Sequence, residues 1–293
     1  MSAPVTAAAT PELPAEDFTY LRELMHVRAA IVLEPGKEYL ALSRLDPVAR
    51  DHGLSSVSEL VGKLRSRELT SALHDQVVDA LTTNETTFFR DFNPWESLRT
   101  LVLPELLERK ERTRTMAIWS AGCSSGQESY SLAMSIREHF PELLTWQLSI
   151  LGTDISGSVL DRARRGRYGQ LEVNRGLPAH LLVRHFARAG MEWEIEEPIR
   201  RMVRFERHNL VEPWLAWPPF DLVLMRNVMI YFDHDAKCEV LAKMHRQLAP
   251  HGYLLLGASE TTYTLSDDFE REMDGRTAWY RPKRTEPLGG AGR

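Results

Sequence analysis

Two stretches of this sequence combine ligand-binding residue types with turns able to present them. The first is Gly122-Cys123-Ser124-Ser125-Gly126-Gln127-Glu128, whose glycines let the backbone turn sharply and approach a ligand closely. The glycine spacing of dinucleotide loops is missing, no Gly-Lys-Ser/Thr follows, and the Glu128 carboxylate would repel a pyrophosphate. The second is Leu151-Gly152-Thr153-Asp154-Ile155-Ser156, where Asp154 can accept both ribose hydroxyls of an adenosine group. A glycine turn plus such an acid specifies a nucleoside without a pyrophosphate. S-adenosylmethionine (SAM), with its adenosine, amino acid and sulfonium cation, meets that description. Taken alone, Asp154 serves equally well as a helix N-cap.

These turns need a scaffold that brings them to one edge. From Thr115 onward, short aliphatic or β-branched runs alternate with helical segments, the pattern of parallel strands joined by crossover helices. Strands are expected at Met116–Ala121, Leu148–Thr153, Met202–His208, Phe220–Met225 and Tyr253–Gly257, with helices after the first, second and fourth. Ligands of such α/β sheets bind beyond the carboxyl ends of the strands, where both turns fall. The stretch 171–201 interrupts the alternation and is expected to form an inserted subdomain with a helix around His180–Phe186 and a small antiparallel sheet. Before all this, apolar residues recur at helical spacing, as at Leu69, Leu73, Val77 and Leu81. The expected organisation is a disordered tail (1–14), a helical domain (15–81), a junction (82–112), a SAM-binding α/β domain (113–283) and a second disordered tail (284–293).

The 293 residues carry 36 Lys and Arg against 41 Asp and Glu, so the net charge of −5 lacks the positive field of a dedicated nucleic-acid binder. Two cysteines are too few for a disulfide scaffold, and ten histidines fall into no metal-ligand spacing. The first residues have neither a basic region nor an apolar core of a signal peptide, and no run of about 18 apolar residues occurs. A cytoplasmic location, no metal, no nucleic acid and no membrane insertion are expected. Cys123, with nothing cationic beside it in sequence, is expected to be a packing residue. Trp217-Pro218-Pro219-Phe220 looks like a methyltransferase PPY/F element but precedes a strand and lacks the leading Asp or Asn, so it is expected to be a loop with a strand start.

From Phe18 to Tyr280 the sequence resembles the chemotaxis receptor methyltransferases of the CheR type. The motifs that carry the resemblance are Leu81-Thr82-Thr83-Asn84-Glu85-Thr86-Thr87-Phe88-Phe89-Arg90, Ile118-Trp119-Ser120-Ala121 with the glycine turn, Ala163-Arg164-Arg165-Gly166-Arg167-Tyr168, His208-Asn209-Leu210, and Arg226-Asn227-Val228-Met229-Ile230-Tyr231-Phe232. The resemblance implies that Asn84, Thr86 and Arg90 close over SAM, that Gly122 and Glu128 lie beside its methionine end, and that Asp154 holds the ribose. It further implies that Asn209 and Leu210 flank the adenine, that Arg226 and Asn227 lie beneath the sulfonium, and that Tyr231 faces the methyl group. Charge agrees for two of these, since Arg90 suits the ligand's carboxylate and Glu128 its ammonium.

The implied reaction methylates glutamate side chains on the cytoplasmic helices of chemoreceptors (methyl-accepting chemotaxis proteins), giving methyl esters and S-adenosylhomocysteine. The implied fold is a Rossmann-like, mostly parallel SAM-methyltransferase sheet with an all-helical N-terminal domain and an inserted β-subdomain. Tyr231 is expected to orient the incoming carboxylate, and Arg90 to hold the cofactor. As alternatives, Arg226 pairs structurally with an acid such as Asp221, and Tyr231 is an interface aromatic. Other readings of the chain are a non-catalytic SAM-binding regulator and a methyltransferase for a different protein or small molecule. Residues 15–90 hold nine basic and twelve acidic side chains. The expected receptor-docking helix is correspondingly thin, with Lys37, Arg44 and Arg50 along it and Asp46-Pro47 interrupting it, and with Lys63, Arg65 and Arg67 as a second patch. The short insert argues against a tether for a receptor's C-terminal pentapeptide, and a monomer is expected.

Overall fold

A computed structural model describes residues 13–66 and 71–283. The chain divides between Thr83 and Asn84 into two units. The tail residues 1–12 and 284–293, together with Arg67 and Leu69, lie outside the described residues.

The first unit contains α1 (Ala15–Ala29), α2 (Glu38–Asp51), α3 (Val57–Arg65) and α4 (Ser71–Leu81). Their buried residues follow the helical period: Phe18, Leu21, Met25 and Ala29 on α1, and Ala41, Leu45 and Ala49 on α2. Pro47 does not interrupt α2, contrary to expectation. It lies within the continuous helix, where Leu45 and Ala49 are fully packed on either side of it and hold the turn closed. Arg44 donates from Nη1 to the carbonyls of Leu81 and Thr82 at 2.8 and 3.0 Å, neutralising the C-terminal end of α4. Arg65 is held at 3.3 Å by Asp17, and Arg50 pairs with Asp46. Three of the six basic residues expected on a docking face, Arg44, Arg50 and Arg65, are thus engaged within the unit.

In the second unit the strands are β1 (Thr115–Ala121), β2 (Gln147–Asp154), β3 (Arg167–Gly169), β4 (Phe186–Ala189), β5 (Glu192–Ile195), β6 (Val203–Arg207), β7 (Phe220–Met225), β8 (Leu248–Leu256), β9 (Phe269–Asp274) and β10 (Thr277–Pro282). Seven form one sheet in the order β6-β2-β1-β7-β8-β10-β9. The first five run parallel, and β10 and β9 close the edge antiparallel. Every residue of β7 is buried, as a strand covered on both faces requires. Helices Gln127–His139, Gly157–Arg165 and His234–Gln247 follow β1, β2 and β7. The fold is a mostly parallel α/β sheet preceded in the chain by an all-helical N-terminal unit, as expected from sequence.

Four further features differ from expectation. β9 and β10 lie beyond the expected strands: β9, Phe-Glu-Arg-Glu-Met-Asp, is an edge strand with charged residues along it, and β10, between β8 and β9, ends at Pro282, which cannot donate to the ladder. β8 begins at Leu248 instead of Tyr253, its start hidden by Pro250, Gly252 and a register shift opposite Phe220. Residues 84–112, expected as a junction, fold with the second unit, where Trp95, Leu98, Val102, Leu103 and Leu106 enter its core. The insert forms the sheet β3-β5-β4, starting at Arg167 ahead of the anticipated 171–201, with a helix at Ala179–His185.

Candidate functional site

At the carboxyl ends of β1, β2 and β7, four chain segments are joined by short polar contacts. The turn after β1 leaves at Gly122 (φ +72°), whose amide, with that of Cys123, donates to Thr153 O at 2.8 and 2.9 Å. Ser124, itself at φ +50°, donates its amide to Asp154 Oδ2 (2.8 Å) and its hydroxyl to Asn84 O (2.7 Å). The second Asp154 oxygen accepts from Ser156 N at 3.0 Å, and the helix after β2 is capped by Ser156, whose hydroxyl accepts from Val159 N. Asp154 is therefore not the N-cap. Its backbone carbonyl accepts from His208 N at 2.9 Å, which draws in the segment carrying Asn209 and Leu210.

Arg226 directly follows β7 and is buried. Its guanidinium reaches Asp91 Oδ2 (2.5 Å), Glu128 Oε2 (3.2 Å) and Arg90 O (3.0 Å), so it joins the 84–91 segment to the helix after β1. Asp221 is not its partner, as one alternative held: that carboxylate pairs with Lys110 at 2.6 Å and accepts from Ala117 N. Glu128 also accepts from Ser120 Oγ at 3.0 Å. Arg226 faces two carboxylates, Asp91 and Glu128, and the Asp154 carboxylate is held on the other side of the glycine turn, so carboxylates outnumber cations in these contacts and the cluster is negative. A ligand with one net positive charge, as SAM has, complements it.

Backbone strain concentrates here. Four of the seven non-glycine residues with positive φ among the described residues are Phe89, Asp91, Ser124 and Asn227. Such conformations persist only where surrounding contacts over-determine them. The contacts are visible: Phe88 packs edge-on against Tyr168 and Phe186, the Tyr168 hydroxyl donates to Ser125 O at 2.7 Å, and Phe89 N donates to Ser131 Oγ. Burial pushes the Tyr168 hydroxyl well above its ordinary pKa. Burial does the same to the Cys123 thiol, with the charges of Asp154 and Glu128 adding to the effect, so Cys123 is an inert packing residue.

Of the residues expected from sequence, Asn84, Arg90, Gly122, Glu128, Asp154, Arg226 and Asn227 sit in this connected cluster. Asn209 and Leu210 flank it: Asn209 Nδ2 donates to Glu212 at 3.1 Å, and Leu210 O accepts from Trp214 Nε1 at 2.9 Å. Thr86 and Tyr231 are half-buried beside it, and among the described residues no hydrogen bond ties either side chain to the cluster. The Arg90 guanidinium reaches Glu85 O at 3.5 Å. Sequence reasoning missed Asp91 and Ser124. Asp91 directly follows the 81–90 motif, and an acid abutting a motif's final arginine was the available signal.

Two buried side-chain atoms here lack partners within the protein, Arg226 Nε and Asn227 Oδ1. One donor and one acceptor left open beside a glycine turn fit a polar ligand such as the amino-acid end of SAM. Among the described residues no cluster of His, Cys, Asp and Glu suits a metal ion, and no helix is long and apolar enough to cross a membrane.

Comparison with known proteins shows which family the chain resembles. Residues 84–277 match the family described as "CheR methyltransferase, SAM binding domain", and residues 16–82 match "CheR methyltransferase, all-alpha domain". Chemotaxis protein methyltransferase 1 of Pseudomonas aeruginosa is 40% identical over 272 residues, covering 91% of this chain and 98% of that protein. Chemotaxis protein methyltransferase 1 of Vibrio cholerae is 43% identical over 250 residues, covering 83% and 88%.

Proposed function

The chain belongs to the CheR methyltransferase family, and from that premise we propose that it methylates glutamate side chains on the cytoplasmic helices of chemoreceptors, forming methyl esters. The observation that carries the reading is the cluster at the carboxyl edge, with its net negative charge and its open donor and acceptor at Arg226 and Asn227. Two CheR domain matches in order, and relatives named chemotaxis protein methyltransferases, support the choice of substrate class. When bound, SAM supplies the methyl group and a sulfonium leaving group.

A glutamate carboxylate has a reference pKa of about 4.3 and is ionised at neutral pH, so the protein need not supply a general base. Its residues instead align the acceptor and exclude water. In this reading Asp154 holds the ribose, Asn209 and Leu210 border the adenine, and Asn84, Thr86, Gly122, Glu128, Arg226 and Asn227 hold the methionine part. Arg90 engages the cofactor's carboxylate, because a bidentate grip on the attacking carboxylate would lower its nucleophilicity. Tyr231 orients the incoming carboxylate through its hydroxyl.

The test incubates the protein with methyl-labelled SAM and receptor-bearing membranes of its own organism and looks for base-labile label on the receptor band. Base-stable label would exclude an ester. Within the site, Arg90→Ala is expected to abolish SAM binding in calorimetry, whereas Tyr231→Phe keeps binding and slows turnover. Equal loss of binding in both would refute this division of roles.

A further inference from the structure

Beyond β8 the chain makes a tight turn, Gly257-Ala258-Ser259-Glu260, closed by Glu260 N donating to Gly257 O at 2.9 Å. The turn folds the Glu260 carboxylate back against the end of β7. Oε2 accepts from Asn227 N and Gly257 N, both at 2.7 Å, and Oε1 accepts from Val228 N at 2.9 Å and Ile230 N at 3.2 Å. One side chain thus receives four backbone N–H groups, three of them from the segment that links Asn227 to Tyr231. That segment is Asn227 at φ +59°, then Val228, then the single 3₁₀ turn Met229–Tyr231.

The surroundings make this arrangement tight. A Cβ on Gly257 would stand 2.6 Å from Glu260 Oε2, 2.8 Å from Asn227 N and 2.9 Å from Asn227 Nδ2, so a side chain at 257 would displace both partners. On the far side, Val228 Cγ2 would be 2.4 Å from a Cβ on Gly122, so the same segment packs directly on the glycine turn after β1. A carboxylate accepting several backbone N–H groups is a strong, charge-assisted anchor. It is also one that an amide cannot replace, because a glutamine would turn N–H donors toward N–H donors.

We propose that Glu260 is a positioning residue for methyl transfer: it fixes the Asn227–Tyr231 turn and, through it, the Tyr231 ring. Glu260 belongs to none of the motifs that mark the site in sequence. The inference rests on the reading of Tyr231 as the residue that orients the acceptor carboxylate, and it adds the element that holds that ring in place. In this reading Glu260 acts through the backbone amides of residues 227, 228 and 230.

The test is Glu260→Gln, alone and combined with Tyr231→Phe, assayed for label transfer to receptor-bearing membranes and for SAM binding by calorimetry. The single variant is expected to lower kcat by about 30-fold with the KM for SAM changed less than about fivefold. In the Tyr231→Phe background the further loss should shrink to below about threefold, because the ring that Glu260 positions then has no hydroxyl to place. Wild-type kcat in Glu260→Gln, or a full loss in both backgrounds, would overturn the proposal, the second by showing a structural effect independent of Tyr231. If Glu260→Gln does not fold, Glu260→Asp carries the same comparison, since it keeps the charge but is too short to reach all four donors. A wild-type protein that labels no receptor would refute the proposed function instead, and Tyr231→Phe with wild-type kcat would refute the role of Tyr231.

Discussion

His208 lies 8% exposed between Trp217, Trp214 and Trp119, with ring centroids at 4.8, 5.9 and 6.1 Å, and its Nε2 has no partner. Burial lowers its pKa from 6.5 to about 4; Glu212 opposes the shift and Lys243 adds to it. The folded-state value is depressed, so between those two pH values the unfolded chain binds a proton that the folded chain refuses. Stability is then full above 6.5 and falls as the pH drops toward 4. The complete shift corresponds to about 3 kcal/mol, of which about 2 kcal/mol is lost between about pH 7.5 and about pH 5. The perturbation is His208→Phe, which keeps an aromatic ring among the tryptophans and removes the titration. Its extra volume adds a cost of about 1 kcal/mol that does not vary with pH and cancels in the comparison. Urea unfolding of both proteins at the two pH values measures the difference. Wild type should lose about 2 kcal/mol more than the variant on acidification; equal losses would refute a neutral, desolvated His208.

Two further substitutions test packing described above. Gly176 has φ +90°, and a Cβ there would stand 2.0 Å from Phe88 O. Gly176→Ala should therefore lower stability by at least about 2 kcal/mol and weaken SAM binding by displacing the 84–90 segment. Unchanged melting and calorimetry would contradict the close approach. Lys110→Met leaves Asp221, 3% exposed, without its cation and should cost about 3 kcal/mol in chemical denaturation, with part recovered by adding Asp221→Asn. A loss in the double variant as large as in Lys110→Met alone would show that unpaired charge is not the cause.

The parts of this fold legible in sequence are those whose signals are local. The run Phe220–Met225, apolar but for Asp221, the glycine turn after β1 and the acid at the end of β2 each announce an element or its end, and the structure places those ends at one edge. Pairings across long separations had no such signal. Arg226 suggested the acid five residues before it, yet its carboxylate partners are Asp91 and Glu128, 135 and 98 residues away in sequence. Glu260 reads as an ordinary polar turn residue until the fold sets it against the amides of residues 227–230. The β9–β10 hairpin carries an Asp274-Gly275 turn, but the charges along β9 mask the strand beside it.

The close approach of Gly176 to Phe88 bears on how this chain can vary. The 84–91 segment is gripped by Gly176, Tyr168 and Phe186, all of which belong to the insert or its threshold. The insert is therefore a wall of the proposed cofactor cleft and not an appendage to it. A chimera carrying another member's insert would inherit, along with any recognition surface, a new setting for the segment that contains Asn84 and Arg90. Swapping only the β4–β5 hairpin beyond Phe186 leaves that wall standing. Exchanges bounded there should trade surface without retuning the cleft, whereas exchanges that cross Gly176 alter both together.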